Sequence, residues 1–201
     1  MNEGVLMGLA ITLLVAYLLG SISFGIIVTK IVKGVDIRNY GSGSTGMTNV
    51  LRTVGKGPGA LVFLGDAVKG MAAVILGQYF GGEVYAVIGG IAAMLGHAYP
   101  IFFGLKGGKG VATGFGIILA LAPEVTAIAI TIFLVTVFLS KYVSLGSLLG
   151  SLSVPINMYL FAKPLPLIIF GIAGASFVVY AHRANIKRLY QGTEYKVGNP
   201  K

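Results

Sequence analysis

The chain has 201 residues, of which 56% are hydrophobic and 10% charged, and a mean hydropathy of +0.89; no ordinary soluble domain solvates that much apolar surface. The apolar content also excludes an intrinsically disordered chain, and the lack of cysteine excludes a disulfide scaffold. The formal net charge of +9, from 15 Lys and Arg against 6 Asp and Glu, calls for anionic partners, either lipid headgroups or a phosphorylated substrate.

A hydrocarbon core of ~30 Å needs ~20 apolar residues per straight helix. Runs of that kind, bounded by charges, Gly or Pro, lie at Val5 to Val28, Ala60 to Phe80, Val84 to Phe103, Val125 to Leu139, Leu145 to Phe161 and Leu165 to Tyr180. A further stretch, Val111 to Leu121, is too short to span unaided and reads as tilted, re-entrant or interfacial. The expected fold is an all-α, polytopic membrane helix bundle of about seven transmembrane helices with a short or re-entrant fourth segment. The first run has the length of a signal peptide, but Glu3 precedes it and its cations follow it, so a retained anchor is expected.

With seven segments the connections alternate sides. All Lys and Arg except Lys163 then fall on one side, while Glu3, Glu83 and Glu124 lie opposite. The positive-inside rule places the N-terminus outside and the C-terminus in the cytoplasm. The spacings Gly4/Gly8, Gly110/Gly114 and Gly146/Gly150 predict close helix packing in lipid. With no long repeat and no long polar stretch, residues 1–201 read as a single domain.

The first cytoplasmic loop reads GSGSTGMTNVLR from Gly41 to Arg52. Its glycines free backbone N–H groups to form an anion-binding nest, and Ser42, Ser44, Thr45, Thr48 and Asn49 add donors. A helix beginning near Thr48 would aim its N-terminal amides at the same anion, with Arg52 about one turn further on. A flexible Ser/Gly linker is the plainer reading, but it does not require Asn49 and Arg52 at helical spacing. The Walker A spacing also fits GSGSTGMT, yet Met47 stands where the phosphate-reaching lysine belongs, which removes nucleotide hydrolysis.

A second loop, KGGKG, places Lys106 and Lys109 around Gly107 and Gly108, where amides and an ammonium can face one phosphate. Lysines at a helix end also serve simply as topology signals. Within the apolar runs, His97 is either a hydrogen-bonded structural residue or a functional one. Asp66 and Lys69 form an i, i+3 pair that either faces a cavity or neutralises itself. The last segment, HRANIKRL from His182 to Leu189, is a juxtamembrane basic patch able to bind anionic lipid, and His182 and Asn185 share a helix face. Ser144 follows Lys141 at another cytoplasmic edge.

Two histidines and sparse cytoplasmic carboxylates point away from a metal site. A His-x4-Asp pattern fails at both, since Phe102 follows His97 and Lys187 follows His182 at that spacing. Two non-enzymatic readings stand beside catalysis: a transporter or channel for a phosphorylated metabolite, and an adaptor recruiting lipid or protein. Cations gathered at one surface disfavour a midplane transport site, and nucleic acid is not an expected partner.

Together the three segments resemble the membrane acyl-phosphate:glycerol-3-phosphate acyltransferase (PlsY) family. The family pattern SGNxGATNxxR matches Ser42 to Arg52, GHxxPxFxxFKGGKGVAT matches Gly96 to Thr113, and HRxNIxRL matches His182 to Leu189, with departures at Ser44, Met47 and Leu105. The resemblance covers nearly the whole chain. It implies seven membrane helices in the bacterial cytoplasmic (inner) membrane, a cytoplasm-facing site, acyl phosphate as donor, glycerol 3-phosphate as acceptor and no cofactor. Ser42, Gly43, Ser44, Thr48, Asn49, Arg52, Gly107, Gly108 and Lys109 are the expected phosphate-binding residues. The resemblance implies that Lys69, His97, Ser144, His182 and Asn185 position the acceptor or line the cavity, and Lys109, Arg52, His182, Asn185 and Ser144 are the expected catalytic set. The acceptor hydroxyl is expected to lose its proton to a substrate phosphate oxygen, with His182 as the alternative base.

Overall fold

The computed structural model describes residues 3–198, and every regular element among them is helical. They divide into two compact units, one up to Leu121 and one from Ala122 onward. The chain is a multi-pass helical membrane protein. Large apolar side chains such as Leu14, Tyr79, Phe138 and Leu139 are exposed, as suits a lipid solvent. Hydroxyls on the spans bond back to the preceding turn instead, Thr12 Oγ1 to the Gly8 carbonyl, Thr29 to Gly25 and Thr126 to Ala122.

The first unit contains α1 (Glu3–Ser21), α2 (Phe24–Lys33), α3 (Met47–Thr53), α4 (Lys56–Ala98) and α5 (Val111–Leu121). The first apolar run, expected as one helix to Val28, is therefore two. The break at Ile22 and Ser23 is a tertiary effect, because the Ile22 carbonyl accepts from Lys69 Nζ at 2.7 Å instead of continuing the helix ladder. Two expected spans form α4, which turns back at Gly81 and Gly82; Gly82 has φ 69°, a left-handed conformation that glycine adopts without strain. The halves, 56–80 and 83–98, pack closely, with Gly77 against Tyr85 and Gly89 against Ala73. The second half stops at Ala98, short of the expected Phe103, because Pro100 disfavours helix at the residue before it. At 11 residues, α5 is about 17 Å long, roughly half the hydrocarbon thickness.

The second unit contains α6 (Pro123–Ser140), α7 (Val143–Leu160), α8 (Leu165–Ala181) and α9 (Arg183–Tyr190). A bend of 59° separates α8 from α9, at His182. Of the small-residue pairs, Gly146 and Gly150 lie against Phe133 and Ala129 of α6 as expected, whereas among the described residues nothing approaches Gly4 or Gly114. The close approaches in the first unit are instead made by glycines such as Gly20 and Gly96.

Beneath the polar loops of the first unit, Ile26, Ile37, Val50 and Val62 form a fully buried cluster, with Phe24, Met47 and Phe103 packed on it. This cluster anchors the loop segments that carry the candidate site.

Candidate active site

Loop 41–46 and α3 are organised around one side chain. Asn49 is 2% exposed; its Oδ1 accepts from the Ser42 N–H at 3.0 Å, and its Nδ2 donates to the carbonyls of Tyr40 and Ser44, both at 2.9 Å, and of Ile37 at 3.3 Å. The Asn49 amide thus shapes the nest from inside. Ser44 Oγ accepts from the Gly46 N–H at 3.3 Å. Ser42 and Gly43 are exposed, and Thr48 and Arg52 half-buried. Helix α3 starts at Met47, one residue before the expected position, with Gly46 at its N-cap and no side-chain cap. Uncapped first-turn amides are a natural place for an anion. Arg52 falls in the last turn of α3.

The loop is tied to the second loop by Arg38. Its Nη1 donates to the Phe103 carbonyl at 2.6 Å, and its Nε and Nη2 donate to Asp36. The bonded Arg38 guanidinium holds the Asp36 carboxyl below the usual carboxylate range.

The KGGKG segment folds back onto the end of α4. A helix leaves its last carbonyls without intrahelical donors, and here the Gly107 N–H donates to Ala98 at 3.0 Å and the Gly108 N–H to His97 at 3.1 Å. These two amides therefore cap α4, where the spacing had pointed to a phosphate. The glycines permit close approach: a Cβ on Gly107 would overlap the His97 carbonyl, and one on Gly108 the His97 ring. Lys106 projects into the open, while Lys109 is half-buried just before α5.

Beneath this loop lies a buried ionic cluster. Lys69 Nζ is 2.7 Å and His97 Nδ1 is 3.4 Å from Asp66 Oδ1. Of the two readings left open by the spacing, the Asp66–Lys69 contact is present, enlarged by His97.

In the second unit, His182 occupies the α8–α9 corner and is buried. Its Nδ1 is 2.8 Å from the Val178 carbonyl, an obligate acceptor, so this nitrogen carries a proton, and whenever the ring is neutral the lone pair lies on Nε2. Ser144 Oγ and Asn185 Nδ2 both donate to Glu194 Oε1, at 3.0 and 2.7 Å, and Arg188 Nε donates to Glu194 Oε2 at 2.7 Å. The structure thus joins Ser144 to Asn185 through a carboxylate.

The family model for glycerol-3-phosphate acyltransferase matches residues 10–192. The chain belongs to the glycerol-3-phosphate acyltransferase family. Among its relatives, the glycerol-3-phosphate acyltransferase of Desulforamulus reducens is 48% identical over 187 residues, covering 92% of this chain and 94% of the relative. That of Nostoc sp. is 47% identical, covering 92% of this chain and 90% of the relative. The fold is similar to the crystal structure of PlsY (YgiH), an integral membrane glycerol 3-phosphate acyltransferase, in its glycerol 3-phosphate form. That structure has a TM-score of 0.91 and 39% identity, covering 94% of this chain and 96% of the other. A second form of the same protein, with lysophosphatidic acid, has a TM-score of 0.88 and 38% identity, covering 94% and 95%. Family membership does not favour the transport reading.

Two residues of this family member, Glu194 and Arg38, escape a motif-based reading. Glu194 is the only carboxylate after Glu124, in a basic tail, and that isolation was its available signal. Arg38 carries no such signal, since the Phe103 carbonyl it reaches lies far along the chain, and Asp66, legible beside Lys69, gave no sign of its remote contact with His97.

Proposed function

We propose that this chain transfers an acyl group from an acyl phosphate to the 1-hydroxyl of sn-glycerol 3-phosphate. The products are 1-acyl-glycerol 3-phosphate (lysophosphatidic acid) and inorganic phosphate, the first acylation step of phospholipid synthesis. The carrying observation is the family match over residues 10–192. The solved relatives named for their glycerol 3-phosphate and lysophosphatidic acid forms correspond to acceptor and product.

An acyl phosphate is already activated, so the protein has to hold two mutually repelling phosphates and stabilise charge on the departing one. The acceptor oxygen attacks the acyl carbon, the bond from that carbon to the phosphate oxygen breaks, and its electron pair leaves with the phosphate. The acceptor proton passes to a phosphate oxygen, with His182 Nε2 as the alternative base. In this reading the α3 amides, Thr48, Arg52 and Lys109 bind the donor phosphate and stabilise the tetrahedral and leaving-group charge. Ser42, Gly43, Ser44 and Asn49 give the nest its shape, and Gly107 and Gly108 set the position of Lys109. Ser144, His182 and Asn185 position the acceptor, while Lys69 and His97 act from beneath the loops.

The two units work as one functional domain, without cofactor, in the bacterial cytoplasmic membrane, with the N-terminus outside and the C-terminus and active site facing the cytoplasm and its anionic lipid. Support for this orientation comes from the charge distribution and from Lys163, the odd cation, which pairs with Glu124 of the same acidic side.

The test uses purified protein in lipid with palmitoyl phosphate and glycerol 3-phosphate, following phosphate release and lysophosphatidate by mass. Acceptor-dependent formation of both is expected. Product from palmitoyl-CoA alone in a parallel reaction would overturn the donor assignment.

A further inference from the structure

Asp66 is 1% exposed in the first half of α4, and neither of its carboxylate oxygens has a hydrogen-bond partner among the described residues. The 2.7 Å approach of Lys69 to Oδ1 is a charge contact off the hydrogen-bond direction. A buried ion cluster satisfied this incompletely is a poor stabiliser, since well-packed apolar groups commonly do as well or better. What it supplies is geometry, because one carboxylate oxygen holds two side chains that lead to different loops.

Through Lys69 the connection runs to the Ile22 carbonyl at the α1–α2 break. Three residues on, Gly25 lies so close to the Thr45 carbonyl that a Cβ there would overlap it, and Thr45 belongs to the loop that opens α3. Through His97 the connection runs to KGGKG: the His97 carbonyl accepts from the Gly108 N–H at 3.1 Å, and its ring fills the space a Gly108 Cβ would need. Both routes lie within the first unit.

We infer that Asp66 is a positioning residue for the acyl transfer, holding the Gly41–Arg52 and Lys106–Gly110 segments in the relative placement that binds phosphate. It touches no substrate and acts through Lys69 and His97. The inference rests on reading those segments as the phosphate-binding loops.

Asp66→Asn, His97→Gln and the double variant, purified in lipid, are compared with the wild type for kcat, for KM of both substrates and for thermal midpoint, with Lys109→Ala as control. A misplaced loop raises KM, whereas a smaller folded fraction lowers apparent kcat at unchanged KM. The expected result is a rise of about tenfold in KM for at least one phosphate substrate in each single variant. The double variant should be no worse than the poorer single, as for two residues acting through one contact. Unchanged KM in both single variants, or effects that multiply in the double, would overturn the inference. Should Asp66→Asn fail to fold, His97→Gln breaks the same connection from the other end, and a wild-type KM there is equally fatal. If Lys109→Ala is crippled while the single variants keep wild-type KM, the positioning role alone fails. If Lys109→Ala retains wild-type kcat/KM, the phosphate-loop reading fails and takes this inference with it.

Discussion

Asn185 Nδ2 donates to Glu194 Oε1 at 2.7 Å, fastening the first turn of α9 to the returning C-terminal segment. The same segment is held by the Val197 N–H, which donates to the Lys141 carbonyl at 2.8 Å. Replacing Glu194 by Ala leaves the Arg188 guanidinium and the Ser144 and Asn185 donors without their common acceptor. Orphaning the buried Ser144 and Asn185 donors costs about 1–3 kcal/mol each, and loss of the part-exposed Arg188 pair adds less. Glu194→Ala is therefore expected to lower the thermal midpoint sharply, and a wild-type midpoint would show that the tail is not fastened this way.

Asn49 engages four backbone groups, accepting from one N–H through Oδ1 and sharing the two Nδ2 hydrogens among three carbonyls. Asn49→Asp keeps the shape but turns the donor end into an acceptor facing carbonyls. Orphaning buried polar groups costs about 1–3 kcal/mol each, so kcat/KM is expected to fall at least tenfold with the loop displaced. Near-normal kinetics would remove Asn49 from the design of the nest.

Lys109→Ala is expected to lower kcat/KM by about 10²–10³-fold, the size of effect seen when one transition-state donor is removed. His182→Gln is expected to keep substantial turnover, because glutamine can donate to the Val178 carbonyl while supplying no base. Abolished turnover in a folded His182→Gln protein would instead make Nε2 the obligatory base.

The Asp36–Arg38 pair makes a prediction about acid. The Asp36 carboxyl is held below its ordinary value by the Arg38 bond, so its contribution to stability is fully present above the unfolded pKa of about 4 and is lost as pH falls through the lower folded value. Thermal midpoints measured from pH 6 down to pH 3 should decline less steeply in Asp36→Asn than in the wild type. Parallel curves would mean that the pair does not titrate with folding.

Much of the fold was legible because a bilayer imposes a length on apolar runs, and six such runs with a short seventh are plain in the sequence. Helix α3 was legible to within a residue from the spacing of Asn49 and Arg52, though its N-cap, Gly46, was not. What was hidden depends on partners remote in the chain. The end of α1 at Ser21 requires Lys69, 47 positions after Ile22, to take a carbonyl. The roles of Gly107 and Gly108 could not be read locally either, since their amides serve carbonyls at the end of α4 that only the fold brings within reach.

By itself the sequence determined the solvent, the approximate limits of the apolar segments and the three motif segments that mark the family. These follow from composition and short-range spacing, which a bilayer and local backbone chemistry read directly. Tertiary structure alone decided which polar groups remain for substrate and which are already engaged. A buried donor or acceptor must find a partner, and whether that partner is Asp66, Asn49 or Glu194 depends on which segments fold against one another.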